Sequence, residues 1–316
     1  MPRSTDLPET LYHYTDSAGL LGILGNPVEF DGAPRHARYG TLWATDARYL
    51  NDTKELRFGT KLLASELKEQ ARDPARTPAV ADRLLELAQT VRAGTFEMTW
   101  HKDAHPATPF VTCFSSASKG DLLSQWRGYG DGGGGFALGF ARSTLTKFYE
   151  VNTKLHEHGD PFGLFANQLL GGPDQVKYGR REARQLMMET ASEMAAGLEA
   201  VARGEKTLSW PDVFYLQSIG QLAKVKHKAF AEESEWRLIT KDHGMEHPEF
   251  RPGKLGVIPY VKLFFQLSDD AGPAISEIVV GPGPEQSLRV DALKRLLDKI
   301  GCSGTRVRRS KAPFRG

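Results

Sequence analysis

Aromatic and charged side chains stand close together in the middle of the chain, at Trp126, Arg127 and Tyr129. Trp and Tyr offer flat stacking surfaces, and Arg offers a rigid, charged fork of hydrogen-bond donors. An apolar segment precedes these residues and a run of glycines follows them. Gathered in one loop, side chains of these types suit a planar small molecule that carries phosphate.

The glycines after this group need a separate interpretation. Gly130, Gly132 and Gly135 fit the pattern G-x-G-x-x-G, but the dinucleotide fingerprint requires a helix after the last glycine. Here the chain continues as FALGF, whose alternating apolar residues are typical of a strand. We therefore predict strand, wide loop, strand over 111–140 and no Rossmann site, with a mobile hairpin loop as the alternative to a ligand site.

Two further groups of residues could take part in chemistry. On one predicted strand, Glu233, Glu235 and Arg237 would share a face, either as a carboxylate pair held in a cleft by an arginine or as a solvated edge. Near the beginning of the chain, His13 and Thr15 lie two apart in the β-prone segment LYHYT and would also share a face. The alternative for His13 is a surface position beside a packed tyrosine.

Other polar residues have competing structural explanations. Asp52 is a suitable N-cap with Glu55 three positions on, so Asn51, Asp52 and Glu55 fit a capping box as well as a catalytic role. His101 and His105 have the spacing of metal ligands on a helix, but the neighbouring prolines favour a loop. We predict no metal site here.

The composition of the 316-residue chain excludes several classes of protein. With 41 basic and 39 acidic residues, no overall field attracts the chain to nucleic acid or to an anionic membrane. Cys113 and Cys302 are the two cysteines and lie far apart, which argues against a disulfide framework or a cysteine-based zinc site. The first residues lack an apolar signal region, and no run reaches membrane-spanning length, so we expect a cytoplasmic protein without a membrane partner.

The distribution of strand and helix patterns predicts an α+β fold. We expect a single domain over 1–316, with a curved, split, mostly antiparallel sheet of about six to eight strands flanked by helices. Residues 160–228 are predicted to form a helical insertion that acts as a lid or a substrate-selecting subdomain. The strand, helix and strand within 275–308 suggest one parallel crossover.

A series of sequence blocks gives the chain a recognisable order from residue 11 to residue 314. The blocks are LYHYT, LWATDARYLND, FVTCFS, QWRGYGD, GFALGF, FAEESEWRL, VIPYVKL and ISEIVVGPG. In these blocks the chain resembles a widespread bacterial domain family of unknown function, whose members show the same blocks in the same order.

A weaker resemblance concerns the first strand and helix, HYT followed by GLLGIL. They are similar to the start of the ADP-ribosyltransferase superfamily, especially its bacterial members that modify DNA bases. The resemblance implies an ADP-ribosyltransferase-like fold and NAD as the substrate. His13 and Thr15 would contact the NAD ribose, Glu235 would be the late-strand carboxylate, and Glu233-x-Glu235 looks like the E-x-E of transferases that modify arginine.

The resemblance leaves the remaining roles open. Tyr49, Trp126 and Tyr129 compete to stack on nicotinamide, Arg127 would hold the pyrophosphate, and the expected S-T-S element has a poor substitute at 114–116. The predicted catalytic residues are Glu233, Glu235 and Arg127; the predicted cofactor-binding residues are His13, Thr15, Tyr49, Asn51, Ser115, Trp126 and Tyr129.

The leading functional hypothesis is an NAD-dependent ADP-ribosyltransferase of a toxin or anti-phage defence type. It would cleave the nicotinamide–ribose bond and modify a nucleic-acid base or a protein, with NAD hydrolysis as the simplest case and an antitoxin or defence partner. It requires His13, Arg127 and Glu235 to meet in one cleft. One alternative is a non-catalytic nucleotide sensor. Another is a magnesium-dependent nuclease or phosphodiesterase using Asp46, Asp52, Glu55, Glu233 and Glu235.

Overall fold

Twelve strands among the described residues form one mixed sheet, in which most neighbouring strands are antiparallel. The computed structural model describes residues 7–27, 37–50, 54–93, 108–130, 134–151, 167–169, 172–205, 220–241, 248–253, 255–270 and 272–313. The α+β class and the mostly antiparallel sheet are confirmed. The sheet has more strands than the six to eight that the sequence predicts.

The secondary structure has the following bounds. The strands are β1 Thr10–Thr15, β2 Tyr39–Asp46, β3 Pro109–Ser115, β4 Phe136–Ala141, β5 Tyr149–Val151, β6 Asn167–Leu169, β7 Asp174–Gln175, β8 Lys177–Tyr178, β9 Val225–Lys226, β10 Glu235–Lys241, β11 Glu249–Gly253, β12 Gly256–Gln266, β13 Ser268–Asp269, β14 Gly272–Pro273, β15 Ile275–Val280 and β16 Arg306–Arg309. The helices are α1 Ser17–Leu24, α2 Lys54–Ala71, α3 Pro78–Ala93, α4 Leu123–Tyr129, α5 Arg142–Leu145, α6 Gly179–Ala202 and α7 Gln286–Lys299. Short 3₁₀ turns cover Ala47–Tyr49, Ala117–Gly120 and Lys228–Glu233.

The sheet opens beside β3. On one edge, β10 pairs with β3 along its whole length. On the other edge, β1 meets β3 at Tyr12↔Ser115, whereas β2 meets it at Thr45↔Val111 and the next position. Since β1 and β2 pair with opposite ends of β3, they diverge around Cys113, and the sheet is split at this point.

One face of the sheet carries the main apolar core. The rings of Phe114, Phe140, Phe148 and Phe265 lie 5.1 to 6.3 Å apart between centroids, in tilted or edge-to-face arrangements. Residues that alternate along a strand point to the same face, so β3, β4 and β12 each contribute to this layer. Apolar side chains of α1 and α7 complete it.

A second apolar core lies between α2, α3 and α6. Leu63 and Leu67 of α2 pack with Leu84 of α3 and with Met187 and Met194 of α6. Side chains three, four or seven positions apart lie on one side of a helix, so each helix presents an apolar stripe to the others. In the described part of the chain, no helix is both long and apolar enough to cross a lipid bilayer.

The predicted helical insertion at 160–228 is helical in part. Its long helix is α6, but the described residues of this segment also include the strands β6 to β9. β7 pairs with β10, and β8 pairs with β9 in a separate two-stranded sheet. Segments of two or three residues carry too little alternation to be recognised as strands from sequence.

The predicted wide loop within 111–140 is wrong, because residues 123–129 form α4. Trp126 is buried there, donates its indole N–H to Asp121 at 2.9 Å and packs edge-to-face on Tyr14. The contact with Tyr14, which is distant in sequence, and the hydrogen bond to nearby Asp121 stabilise a helix of two turns that its own sequence does not favour. By contrast, the predicted parallel crossover is confirmed, since β15 and β16 pair in parallel on either side of α7.

We expect Phe140→Ala to lower the free energy of unfolding by about 3–5 kcal/mol, because it leaves a cavity in the aromatic layer. Chemical denaturation monitored by circular dichroism measures the change. Leu288→Ala on α7 is the control, since Leu288 is 63 % exposed and its truncation should change stability by less than about 0.5 kcal/mol. Equal effects of the two substitutions would contradict this description of the core.

Candidate functional site

The split in the sheet is occupied by a cavity of about 470 Å³. Its lining comes from β1, β2 and β3, from α1, α4 and the 3₁₀ turn at Ala47–Tyr49, from the carboxylates of Glu233 and Glu235, and from the hairpin of β11 and β12. His13, Thr15, Glu233 and Glu235 are among the lining residues. The strand β1, which carries His13, and the acidic segment, which carries Glu233 and Glu235, therefore line the same cavity although they are more than 200 residues apart in sequence.

His13 lies at the centre of the split. Its Nδ1 is 2.9 Å from the carbonyl oxygen of Cys113, the residue between the two points where β1 and β2 pair with β3. Because a carbonyl oxygen can only accept, Nδ1 carries the proton. Burial and then the positive charge of Arg251 lower the pKa of His13, against the opposing effect of this hydrogen bond. The ring is therefore neutral at pH 7, with Nε2 free of a proton.

Glu235 is the centre of a buried ionic cluster. Its carboxylate accepts from Arg237 Nε at 2.7 Å, from Arg237 Nη2 at 3.1 Å and from Lys226 Nζ at 2.9 Å. Glu235 and Arg237 are 4 % and 2 % exposed. The alternative of a solvated edge strand is thus wrong, because β10 lies between β3 and β7 and its charged residues are buried.

Glu233 reaches the same cluster from a different element. It ends the 3₁₀ turn Lys228–Glu233, and Ser234 follows in the left-handed region with φ of +44°. The expectation that Glu233 and Glu235 share a strand face is therefore wrong, since the strand begins at Glu235. Both carboxylates nevertheless bind the Nζ of Lys226, which lies 2.7 Å from Glu233 Oε2.

The electrostatics of the cluster keep Glu235 ionised. Burial disfavours the charged carboxylate, but the charges of Arg237 and Lys226 and hydrogen bonds from Arg237 and Cys113 outweigh it and lower the pKa of Glu235 to about 2. Burial, together with the negative charge of Glu235, raises the pKa of Cys113 well above its ordinary value. Cys113 is therefore a protonated thiol that donates to the carboxylate.

A second cavity of about 930 Å³ adjoins the first. The two have Cys113, Gln125, Tyr129, Glu233 and Glu235 in common, among other residues. The ionic cluster and α4 thus stand at the boundary between the two spaces. Beyond that boundary, the second cavity is lined by residues of α2 and of the 3₁₀ turn before Glu233.

The aromatic residues proposed to stack on nicotinamide are placed differently from one another. Tyr49 and Tyr129 both line the first cavity, and Tyr129 is 39 % exposed. Trp126 is a buried core residue of α4 that does not line it. Asn51 lies outside the described residues.

Arg127 does not meet His13 and Glu235. It is exposed on α4 and is absent from the lining of both cavities. Of the three residues required to meet, the structure brings together His13 and Glu235. Ser115 also lines the first cavity, but its hydroxyl donates to the Glu233 carbonyl at 2.6 Å and accepts from a backbone amide, so it braces the acidic segment.

Sequence reasoning missed two cations of the site. Lys226 has no fixed spacing from the carboxylates that it joins, and no local pattern identifies it. Arg251 donates to Thr45 at 3.0 Å and lies over the ring of Trp43 at 5.7 Å, on the rim of the first cavity. The glycines at 253 and 256 indicate a hairpin turn after Arg251. Such a hairpin pairs Arg251 with Ile258, as the structure shows.

The described residues contain no group of three His, Cys, Asp or Glu side chains placed to hold a metal ion. Asp46, offered for a magnesium site, is buried and bonded to Arg48 and Thr108. Asp52, His101 and His105 lie outside the described residues, and the side chain of Glu55 is not described.

We expect Glu235→Gln to lower the free energy of unfolding at pH 7 by about 3–5 kcal/mol, because it removes the counter-charge of Arg237 and Lys226. The pKa of Glu235 is about 2 in the folded protein, below its ordinary value of 4.5. Its stabilising effect is therefore complete above pH 4.5 and is lost as the pH falls towards 2.

Urea denaturation of wild type and Glu235→Gln at pH 7 and at pH 3 measures this effect. The difference in stability between the two proteins should be smaller at pH 3. Glu232→Gln alters an exposed carboxylate three positions away and should have little effect at either pH. A difference for Glu235→Gln that does not change with pH would rule out the assigned ionic role.

Comparison with known proteins adds a family match over part of this site. Residues 125–238, which run from α4 into β10, match the model of a family described as "Protein of unknown function (DUF2971)". No curated protein and no solved structure matches the chain, so the ADP-ribosyltransferase-like fold stays a prediction. The match supports the resemblance of this segment, which includes Glu233 and Glu235, to a domain family of unknown function.

Proposed function

We propose that the protein is an NAD-consuming ADP-ribosyltransferase that breaks the nicotinamide–ribose bond and passes ADP-ribose to an acceptor. When water is the acceptor, the reaction is NAD hydrolysis. The observation that supports this proposal is the shared lining of one cavity by His13 of β1 and by the carboxylates Glu233 and Glu235.

The chemistry requires a negative charge beside the ribose. When the bond to nicotinamide breaks, its electron pair leaves with the nicotinamide, and positive charge builds on the sugar as in glycoside hydrolysis. A carboxylate already fixed in position stabilises this charge without reorganisation. The acceptor then forms a bond to the same carbon and loses its proton.

Glu233 is better suited than Glu235 to contact the ribose. The side chain of Glu233 is 18 % exposed, compared with 6 % for Glu235. The oxygens of Glu235 already accept three hydrogen bonds from Arg237 and Lys226. We assign Glu233 as the catalytic carboxylate, and Glu235 as the positioning residue that holds Lys226 and, through it, Glu233.

The other side of the first cavity suits the nicotinamide end of NAD. His13 is neutral and offers Nε2 as an acceptor for a ribose hydroxyl or an amide N–H. Tyr49 and Tyr129 line the same cavity and provide rings against which nicotinamide can stack. Arg127 has no part in this assignment, because it lies outside the lining of the cavity.

A non-catalytic nucleotide-binding protein is the second candidate. The observation that favours it is the engagement of Glu235 by Arg237 and Lys226, which neutralises the most buried carboxylate of the site. This candidate predicts that NAD or a related nucleotide binds without being consumed.

We expect the purified protein to release nicotinamide from NAD, and Glu233→Gln to lower the rate by about 100-fold or more, because it removes the charge opposite the ribose. Chromatography of the nucleotides measures the release, with nucleic acid, protein or water offered as acceptor. Glu232→Gln changes the adjacent carboxylate, which lines neither cavity, and should leave the rate unchanged.

The outcomes separate the two candidates. NAD that binds and is recovered intact with every acceptor would favour the nucleotide-binding protein over the transferase. Turnover by Glu233→Gln at the wild-type rate would show that Glu233 has no catalytic role.

A further inference from the structure

We propose that the second cavity is a binding site for the phosphate groups of a nucleotide. This inference deepens the proposed function, on which its interpretation as part of a transferase site rests. Its physical basis is the charge of the cavity lining, which differs from that of the first cavity.

Cations outnumber carboxylates in this lining. The described residues that line the second cavity include four cationic side chains, Arg57, Lys61, Lys226 and Arg237, and two carboxylates, Glu233 and Glu235. Lys226 and Arg237 bind these carboxylates. The charges of Arg57 and Lys61 therefore remain to attract an anion.

Arg57 and Lys61 are held on one side of α2. They lie four positions apart, which places them one turn from each other on the same helix face. Leu63 and Leu67 pack into the core with α3 and α6 and fix the rotation of α2. The carboxylates of the site pair with Lys226 and Arg237, and among the described residues none forms an ion pair with Arg57 or Lys61.

The remaining lining suits the rest of a nucleotide. Phe58 and Phe230 contribute aromatic rings that can contact a base or a sugar, and Gln125 contributes an amide that can donate and accept hydrogen bonds. Guanidinium and ammonium groups bind phosphate oxygens through charge-assisted hydrogen bonds. Rings, an amide and two further cations in one cavity favour a nucleotide over an inorganic anion alone.

The position of this cavity links phosphate binding to the carboxylates. Glu233 and Glu235 line both cavities, so a nucleotide in the second cavity would lie next to a sugar bound in the first. The phosphate could belong to the diphosphate of the NAD donor or to an acceptor nucleotide. Both sources require the same cations.

The experiment is isothermal titration calorimetry at low salt with three probes: inorganic pyrophosphate, ADP-ribose and a short single-stranded oligonucleotide. We expect pyrophosphate to bind, and Arg57→Ala or Lys61→Ala each to weaken its binding about tenfold, which corresponds to one charge-assisted hydrogen bond. Raising the ionic strength should also weaken the binding of pyrophosphate to the wild-type protein, because salt screens the charges.

Two controls separate charge from folding. Lys68→Ala alters a cation two turns further along α2 that does not line the cavity, and it should bind pyrophosphate as the wild type does. Arg57→Lys combined with Lys61→Arg keeps both charges and should retain binding within a few-fold. Both cations are exposed, so circular dichroism should show the same folded state for every variant.

The three probes identify the source of the phosphate. If the alanine substitutions weaken the binding of ADP-ribose more than that of the oligonucleotide, the site holds the phosphates of the NAD donor. If they weaken the binding of the oligonucleotide more, the site holds a nucleic-acid acceptor. Absence of pyrophosphate binding, or equal binding by wild type and by a variant that carries both Arg57→Ala and Lys61→Ala, overturns the proposal. Phosphate binding that depends on both cations in a protein that never consumes NAD would refute the transferase and leave this site standing.

Discussion

The incomplete pairing of β3 is the constraint on which the site depends. A buried backbone carbonyl must find a donor, and around Cys113 neither β1 nor β2 is close enough to supply one. The side chain of His13 supplies it instead. The same divergence of strands opens the cavity, so the histidine holds the backbone of β3 and also forms part of the cavity wall. Its neutral state follows from this position, because burial and Arg251 both disfavour the charged ring.

The ionic cluster resolves a conflict between charge and burial. Four charged groups, Lys226, Glu233, Glu235 and Arg237, meet beside β10, and each would be costly there without its partners. Together they join β9, β10 and the 3₁₀ turn between them at fixed distances. Such a cluster adds little net stability compared with an apolar core, but removing one member leaves a buried charge unmatched. Its main effect is to fix the orientation of two carboxylates at the boundary between two cavities.

Local sequence patterns predicted the parts of the fold that depend on local periodicity. The strand around His13 and the crossover through α7 have clear alternation or helical spacing, and both are present. The meeting of His13 with Glu235 was expected from the resemblance to the ADP-ribosyltransferase superfamily and not from the periodicity of either segment. The helix around Trp126, the turn that carries Glu233 and the role of Lys226 were not predicted, because each is set by contacts between distant segments. Local sequence patterns do not show which distant segments of the chain come into contact.

The two walls of the split come from β1 and β2, which lie within the first 46 residues, whereas the acidic segment and the hairpin that closes the rim follow residue 225. A ribosome releases the chain from its amino end, so the early strands leave the exit tunnel long before their counterparts exist. The lining residues of the cavity run from Tyr12 to Ile258, so both the early strands and the late segments must be present before every wall exists. Whatever chemistry the cleft performs is therefore withheld from the nascent polypeptide until the segment through Ile258 has emerged.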